Sequence, residues 1–498
     1  MGTRVADSRQ REQITTLEAW RINHKMKRLR LESKVSLVVV LAATMITCTT
    51  GPISNSNSPT PATAATPSPA VATTEKALAP PAAVTLPTLN ALFTDAAFKT
   101  ELKSKLNLND SQIEQLQNSA NDEVARLRQG NAEEQTGNAA EARQRATEVI
   151  RNAVGEQKTQ ELFNLINERW VKGSDEAEPG AKTAEFTMLP GPNAVPQDSR
   201  IVVNIPAYRM DVFHDGSMVK SYKIGIGYPQ FPLPTGLRKA QQIIFNPTWT
   251  PPDEPWVASM KDVTVGQKVE AGSKLNPLGP IKVPIGLPNL IHGGKSPAKL
   301  GTFASHGCVG LTTPQVKDFA KVLAQTAASD ISDKTMAAYL RDSTKTKVVK
   351  LPKTIPVELR YETIVLEDGK LHIYKDVYDQ DANTEENLRA VLQANGMSLE
   401  DLSQDERAQA LDALNAMSTH PTKSAPRAAN LNNSANSNQA ALGQNKRSAK
   451  EKRPAKNQKE VVIEIARLIG KGYPAPVDLD TGTGKPSPKL ALKQAAGR

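Results

Sequence analysis

Two hydrophobic periods divide the chain. From about Thr94 to Trp170, Leu102, Leu106, Ile113, Leu116, Val124, Leu127, Val149, Val154, Leu162, Phe163 and Ile166 recur at spacings compatible with helical turns. That pattern predicts a small helical bundle with caps at Thr94 and at Asp110 or Ser111. Residues 89–175 hold no cluster suited to chemistry and read as a spacer or docking module. After a loose segment, 176–199, the period changes. "RIVVNIPAYRMDVFHDGSMVKSYKIGIG" (200–227) carries β-branched runs around an Asp215-Gly216 turn and predicts three strands. "QQIIFNPTWTPP" (241–252) adds another strand and "PIKVPIGLPNLIHGG" (280–294) one or two more. "TTPQVKDFAKVLAQTA" (312–327) predicts a helix entered through a Thr N-cap, with Pro314 in its first turn. Strands return at "TKVVKL" and at "IPVELRYETIVLEDGKLHIYKDVY" (355–378), where "EDGK" makes a hairpin.

The expected organisation is a mainly β domain with a short helix over 200–350 and a β-hairpin extension over 351–378. A helical region, 379–417, follows with a capping box from Ser403 to Glu406. Residues 418–458 form a basic, low-complexity linker, and the last segment, 459–498, opens with "VVIEIARLIGKGY", which docks back onto the protein. No internal repeat is present.

The N-terminus sets the compartment. "MKRLRLESKVSLVVVLAATMITC" (26–48) has a basic start and then an apolar run from Val35 to Ile46, too short to span a membrane comfortably but suited to secretion. Residues 1–48 therefore read as an export segment, with Met26 as a candidate start. Cys48 resembles the lipid-acceptor cysteine of a bacterial lipoprotein, although Thr47 precedes it where Gly, Ala or Ser is preferred. The alternative is a signal left uncleaved or cleaved elsewhere. Residues 49–88, rich in Pro, Ser, Thr and Ala, form a disordered tether. The expected location is the periplasm or cell envelope, with a possible membrane anchor at the N-terminus.

Composition adds one constraint. The net charge of +10 suits an anionic partner, whether nucleic acid, anionic lipid or cell-wall polymer, and does not choose among them. There are 2 cysteines. With Cys48 lipidated or removed, Cys308 stands alone in an oxidising compartment and calls for a chemical explanation.

Cys308 lies in "LIHGGKSPAKLGTFASHGCVGLT" (290–312), with His292 and His306. Only a thiolate attacks carbonyls well, so a thiol site needs a nearby base or positive field. His306 stands two residues before the cysteine, and His292 ends an apolar strand from which it can face Cys308. Gly293, Gly294 and Gly307 remove Cβ atoms where a peptide backbone would approach, and the N–H groups around Gly307–Cys308 are candidates for an oxyanion hole. A zinc site is the second reading, but H-x13-H-x-C lacks the usual ligand spacing. A buried structural cysteine is the third. It explains poorly why strand, glycine pair, histidines and thiol share one short segment.

"IHGG" and "SHGCVGL" resemble the active-site signature of the L,D-transpeptidase catalytic domain, the YkuD or ErfK/YbiS-like family. The opening strands, "FPLPTG" (231–236), "NPTWTPP" (246–252) and "NPLG" (276–279) are similar to further landmarks in the family's order. The resemblance spans about residues 200–350. It implies a YkuD-like β-sandwich or barrel acting on peptidoglycan stem peptides, with no cofactor, no metal and no nucleic-acid partner. Cys308 would be the nucleophile and His292 its base, while Ser305, His306 and Gly307 would shape the nucleophile loop and oxyanion site. The thiolate would attack the carbonyl of the third residue, a diamino acid, of a tetrapeptide stem and expel the terminal D-alanine. An amine from a second stem would resolve the thioester into a 3→3 cross-link. Water would make the enzyme an L,D-carboxypeptidase, and an amine on an envelope protein would make it an anchoring enzyme. A non-catalytic wall-binding protein is the third alternative. Gly310 departs from the pattern, because the second residue after the cysteine is commonly Arg or Asn. Lys295, Arg238 or a backbone group would then take over that role at the substrate.

Overall fold

The computed structural model describes residues 84–129, 138–172, 186–252, 257, 260–418 and 458–483. The export segment with Cys48, most of the tether and the basic linker lie outside the described residues.

The helical region begins earlier than its periodicity predicts. Helix α1 (Leu86–Leu92) is capped by Thr85, whose side chain accepts from the Thr88 N–H, and a proline occupies its first turn. The Pro-rich context masks this start, because Pro in a first turn supports a helix instead of breaking it. Helices α2 (Ala96–Leu106), α3 (Asp110–Gln129), α4 (Ala139–Val154) and α5 (Glu156–Lys172) complete the module. Its core joins Leu89, Phe98, Leu102, Leu116, Ile150 and Trp170. The caps shift by one residue from expectation: Asp95, not Thr94, caps α2, and Asn109 accepts from the Gln112 N–H ahead of α3.

The β domain is one eight-stranded mixed sheet. Its strands are β1 (Arg200–Asn204), β2 (Arg209–His214), β3 (Ser217–Lys223), β5 (Gly236–Phe245), β6 (Ile281–Pro284), β7 (Leu290–Lys295), β9 (Val309–Thr312) and β10 (Lys347–Arg360). They run in the order β3-β2-β1-β10-β5-β6-β7-β9. Two pairs are parallel, β1 with β10 and β7 with β9. Beyond β3 the chain continues through Ile224 to β4 (Ile226–Gly227), which pairs with β8 (Phe303–Ser305). Gly225 and Gly310 exchange both backbone hydrogen bonds at 2.9 Å, so the chain leaving one edge strand meets β9 at the opposite edge.

Helix α6 (Thr313–Thr326) packs on the inner face. It starts with the expected Thr312 cap, which forms a capping box with Gln315. Val316, Phe319, Ala320 and Leu323 meet Ile281, Val283, Ile291, Val309 and Leu311 in the main core. A short helix α7 (Asp333–Leu340) leads to β10.

The boundary expected at residue 350 falls inside β10, which is central to the sheet. The pairing with β5 shifts register between Lys350 and Ile355, and a bulge there tolerates Pro352; Pro356 lies beyond it, opposite Lys239, just before β10 begins to pair with β1 at Val357. The separate hairpin, helical and C-terminal segments also merge. Strands β11 (Ile364–Glu367), β12 (Lys370–Tyr374) and β13 (Glu460–Glu464) form one sheet, covered by α8 (Glu385–Ala394) and α9 (Gln404–Met417). The expected docking of "VVIEIARLIGKGY" is thus a strand addition to β12. The chain then runs along β3, where Val477 O and Asp480 O accept from the Ser221 and Lys223 N–H groups at 2.9 Å.

The helical module docks on the β domain. Trp170 Nε1 donates to Leu287 O at 2.9 Å, and its ring lies 3.9 Å from the Arg238 guanidinium. Thr85 Oγ1 donates to Gln230 O at 3.0 Å, and Leu127 packs against Tyr228 and Phe231. Arg238 is 1% exposed, and its Nε and Nη2 have no hydrogen-bond partner among the described residues. Burial pushes its pKa well down. Stacking on an aromatic ring returns roughly 2 kcal/mol, less than the several kcal/mol that burying an unpaired cation costs. Arg238→Met is therefore expected to stabilise the chain by about 1–2 kcal/mol, read as a higher Tm; an unchanged or lower Tm contradicts this balance.

Candidate active site

Strand register assembles the site. Lys282 on β6 lies opposite His292 on β7, and His292 lies opposite Gly310 on β9. Their neighbours Ile281, Val283, Ile291, Val309 and Leu311 enter the core, so alternation turns Lys282, His292 and Gly310 to the other face. Cys308 stands two residues before Gly310 at the mouth of β9, half-buried, and is near enough for a thiolate there to raise the pKa of Lys282. Residues separated in sequence thus bring a thiol, an imidazole and an amine to one patch of sheet.

The imidazole is held in its neutral form. His292 is 3% exposed, and its Nδ1 lies 2.8 Å from Gly293 O. A carbonyl only accepts, so Nδ1 carries the proton and Nε2 keeps its lone pair. Burial lowers the pKa of His292 to about 3, and the positive charges of Lys295 and Lys282 push the same way. The carbonyls of Gly293 and Leu278 oppose the shift but do not overcome it.

The loop bearing Cys308 is held from three sides. Ser305 Oγ accepts from Cys308 N–H at 3.0 Å and donates to Cys308 O at 2.5 Å. Gly307 adopts φ +87°, and its carbonyl accepts from the side-chain amide of the buried Asn289. His306 packs on Phe231 and Tyr228, with ring centroids 4.7 and 5.1 Å away. Burial, with Lys295 adding, pushes the pKa of His306 well below the usual histidine value. The segment that cages His306 is itself tied down, since Tyr378 Oη donates to Gly227 O at 2.7 Å and accepts from Leu233 N–H at 3.1 Å.

Several expectations change. The Cys308 N–H, expected to help form an oxyanion hole, already donates to Ser305. Gly293, expected to face a peptide, faces α6 instead: a Cβ there would come 2.7 Å from Val316 Cγ1. Gly294, at φ +82°, has Pro277 O only 2.7 Å from where its Cβ would be. At Gly310 the place of a side chain is taken by Lys295, whose Cγ would stand 2.9 Å from an added Cβ. Gly293→Ala is therefore expected to cost about 1–3 kcal/mol by overpacking, measured by denaturant titration; a neutral result would show that α6 retreats easily.

Asn289, Tyr228, Phe231, Tyr378 and Lys282 were not picked out by their sequence. Asn289 and Lys282 sit close to the "HGG" motif and repay a search for polar residues on the same hairpin. Tyr378 carries no local signal. Among the described residues, no group of three His, Cys, Asp or Glu side chains is placed to hold a metal ion.

Part of the chain matches a known family. Residues 198–349 match the family model of YkuD, the L,D-transpeptidase catalytic domain. Similar solved structures include the avibactam carbamoyl enzyme of Ldtfm, at 15% identity and TM-score 0.21, covering 33% of this chain and 49% of that one. The NMR structure of the catalytic domain of the E. faecium L,D-transpeptidase shares 16% identity at TM-score 0.21, covering 34% of this chain and 100% of that chain. An L,D-transpeptidase from Mycobacterium tuberculosis H37Rv shares 15% identity at TM-score 0.20, covering 32% and 57%. The alignment thus spans about half the length of the first of these and all of the second. No curated protein matches the chain.

Proposed function

We propose that the protein is an exported L,D-transpeptidase that acts on peptidoglycan stem peptides through Cys308. The observation that carries this reading is the placement, within the matched domain, of a neutral His292 on the sheet face at whose edge Cys308 stands. Nε2 of His292 takes the thiol proton as sulfur attacks the carbonyl of the third residue of a donor stem. The tetrahedral adduct collapses, and the same proton passes to the leaving nitrogen of the terminal D-alanine. A thioester on Cys308 remains. An amine from a second stem, or from an envelope protein, then attacks the thioester and gives its proton to His292, which passes it to the departing Cys308 sulfur and restores the thiol and the neutral imidazole. The Ser305 and Asn289 contacts fix the loop, so the thiol is presented without a reorganisation cost.

Export and attachment through Cys48 belong to the same proposal and rest on the N-terminal sequence. The test is incubation of the full chain, without its export segment, with tetrapeptide muropeptides and mass spectrometry of the products. A dimer with loss of D-alanine supports transfer, and a tripeptide alone supports hydrolysis. With Cys308→Ala both products disappear. Products that persist in that variant, or none from the intact enzyme, overturn the reading.

A further inference from the structure

Strand β7 does not run regularly past His292. His292 faces Gly310 and Lys295 faces Thr312, so three residues of β7 advance while β9 advances two. The extra residue is taken up beside Gly294, whose φ of +82° suits a bulge. Without the bulge, alternation would send Lys295 to the face opposite His292. With it, Lys295 returns to the His292 face and lies across Gly310: an added Cβ there would meet Lys295 Cγ at 2.9 Å and Cε at 3.1 Å. A bulge glycine on one strand and a missing side chain on the next therefore deliver one ammonium to the site.

Lys282 delivers a second from the other flank, directly across the ladder from His292. Strands lie about 4.8 Å apart, so Lys282 flanks the imidazole from β6 while the Lys295 stem, rooted on β7 itself, flanks it over β9. The charges of both act on His292, that of Lys295 also on His306, and Lys282 feels Cys308. Lys282 has no ion-pair partner among the described residues.

We propose that Lys282 and Lys295 form a two-cation clamp that selects a donor peptide whose leaving residue ends in a free carboxylate. The proposal rests on the transpeptidase reading for the identity of the donor. In such a donor, three bonds separate the attacked carbonyl carbon from the terminal carboxylate carbon, a span of about 3–4 Å. A carbonyl seated over Cys308 therefore holds that carboxylate within reach of cations on the adjoining strands. A chain that continues, or one capped as an amide, brings no charge to the clamp. Lys295 in this role supplies from β7 what a cationic side chain at position 310 would supply from β9.

The clamp is tested first without peptide. Rates of Cys308 alkylation by iodoacetate and iodoacetamide are measured on the full chain, with the modified residue located by peptide mass mapping. At low salt the iodoacetate-to-iodoacetamide ratio is expected to exceed that of glutathione by about tenfold and to fall with added salt. Lys282→Gln and Lys295→Gln are each expected to move it toward the glutathione value, with the melting temperature checked in both. Gly310→Arg placed on Lys295→Ala is expected to raise the ratio again, which a purely structural role for Lys295 does not predict. A wild-type ratio equal to that of glutathione, or wild-type ratios in both single variants, overturns the proposal.

The second arm compares kcat/KM for a tetrapeptide donor and its C-terminal amide. The free acid is expected to lead by about tenfold or more, with the lead lost in the lysine variants. Equal turnover of acid and amide overturns the clamp and leaves the transpeptidase reading intact. A charge-dependent alkylation ratio with neither peptide turned over overturns the transpeptidase reading and supports the cationic pair.

Discussion

His292→Gln is expected to lower kcat/KM for the donor stem by about 10²–10⁴-fold while Cys308 remains open to slow alkylation. Gln can hold a hydrogen bond but cannot take the thiol proton, so the loss reports proton transfer. The pH profile separates this from a packing defect. With its pKa near 3, His292 is neutral throughout the range above about pH 4, so its protonation removes no activity between pH 7 and 5. An ordinary imidazole would give an acid limb near pH 6.5. The wild-type profile is therefore expected to lack that limb and to rise only as the thiol ionises. An acid limb centred near 6.5 would show that His292 titrates as an ordinary imidazole in the working enzyme and would overturn the depressed value.

The residues proposed for this chemistry were legible because each sits in a compact motif: His292 in "IHGG", and Cys308 in "SHGCVGL". The hairpin turns were equally plain, since Asp215-Gly216 and Asp368-Gly369 both adopt the positive φ their residue types favour. What the motifs hide is everything set by register. Lys282 is near His292 because the β6–β7 hairpin fixes Pro284 against Leu290, a pairing that no local pattern states. Lys295 reaches the same face only through the bulge after His292.

The glycines show a different limit. A glycine signals that something comes close, not what it is. Gly293 and Gly294 suggested a ligand, whereas α6 and the Pro277–Gly279 turn fill those spaces. Proline misled in the opposite sense: Pro87 in "TLPTLNAL" belonged with the Pro-rich tether, but it occupies a first helical turn. Tyr378 joins the site from beyond the matched domain, through hydrogen bonds to Gly227 and Leu233. Long-range closure of this kind leaves no trace in the segments it joins.

Acid should weaken the fold through the same two histidines. The sign follows from linkage: both His292 and His306 have folded pKa values depressed below the unfolded value near 6.5. Their neutral forms are native, so their contribution is fully present above about pH 6.5 and is lost as pH falls, because the unfolded chain binds protons that the folded chain refuses. Each adds a slope of up to about 1.4 kcal/mol per pH unit below 6.5. Asp211 and Glu362, whose carboxyl pKa values are raised by burial, act in the opposite direction at lower pH. Total stability therefore does not isolate the histidines, but a variant does. His306→Phe keeps an aromatic ring against Phe231 and Tyr228 and removes one titrating group. Denaturant titrations between about pH 7.5 and 5 should show a flatter loss of stability in the variant, by as much as one histidine's slope. Parallel curves would mean that His306 protonates in place, the aromatic cage opening enough to solvate it, and would place the loop around Cys308 among the mobile parts of the site.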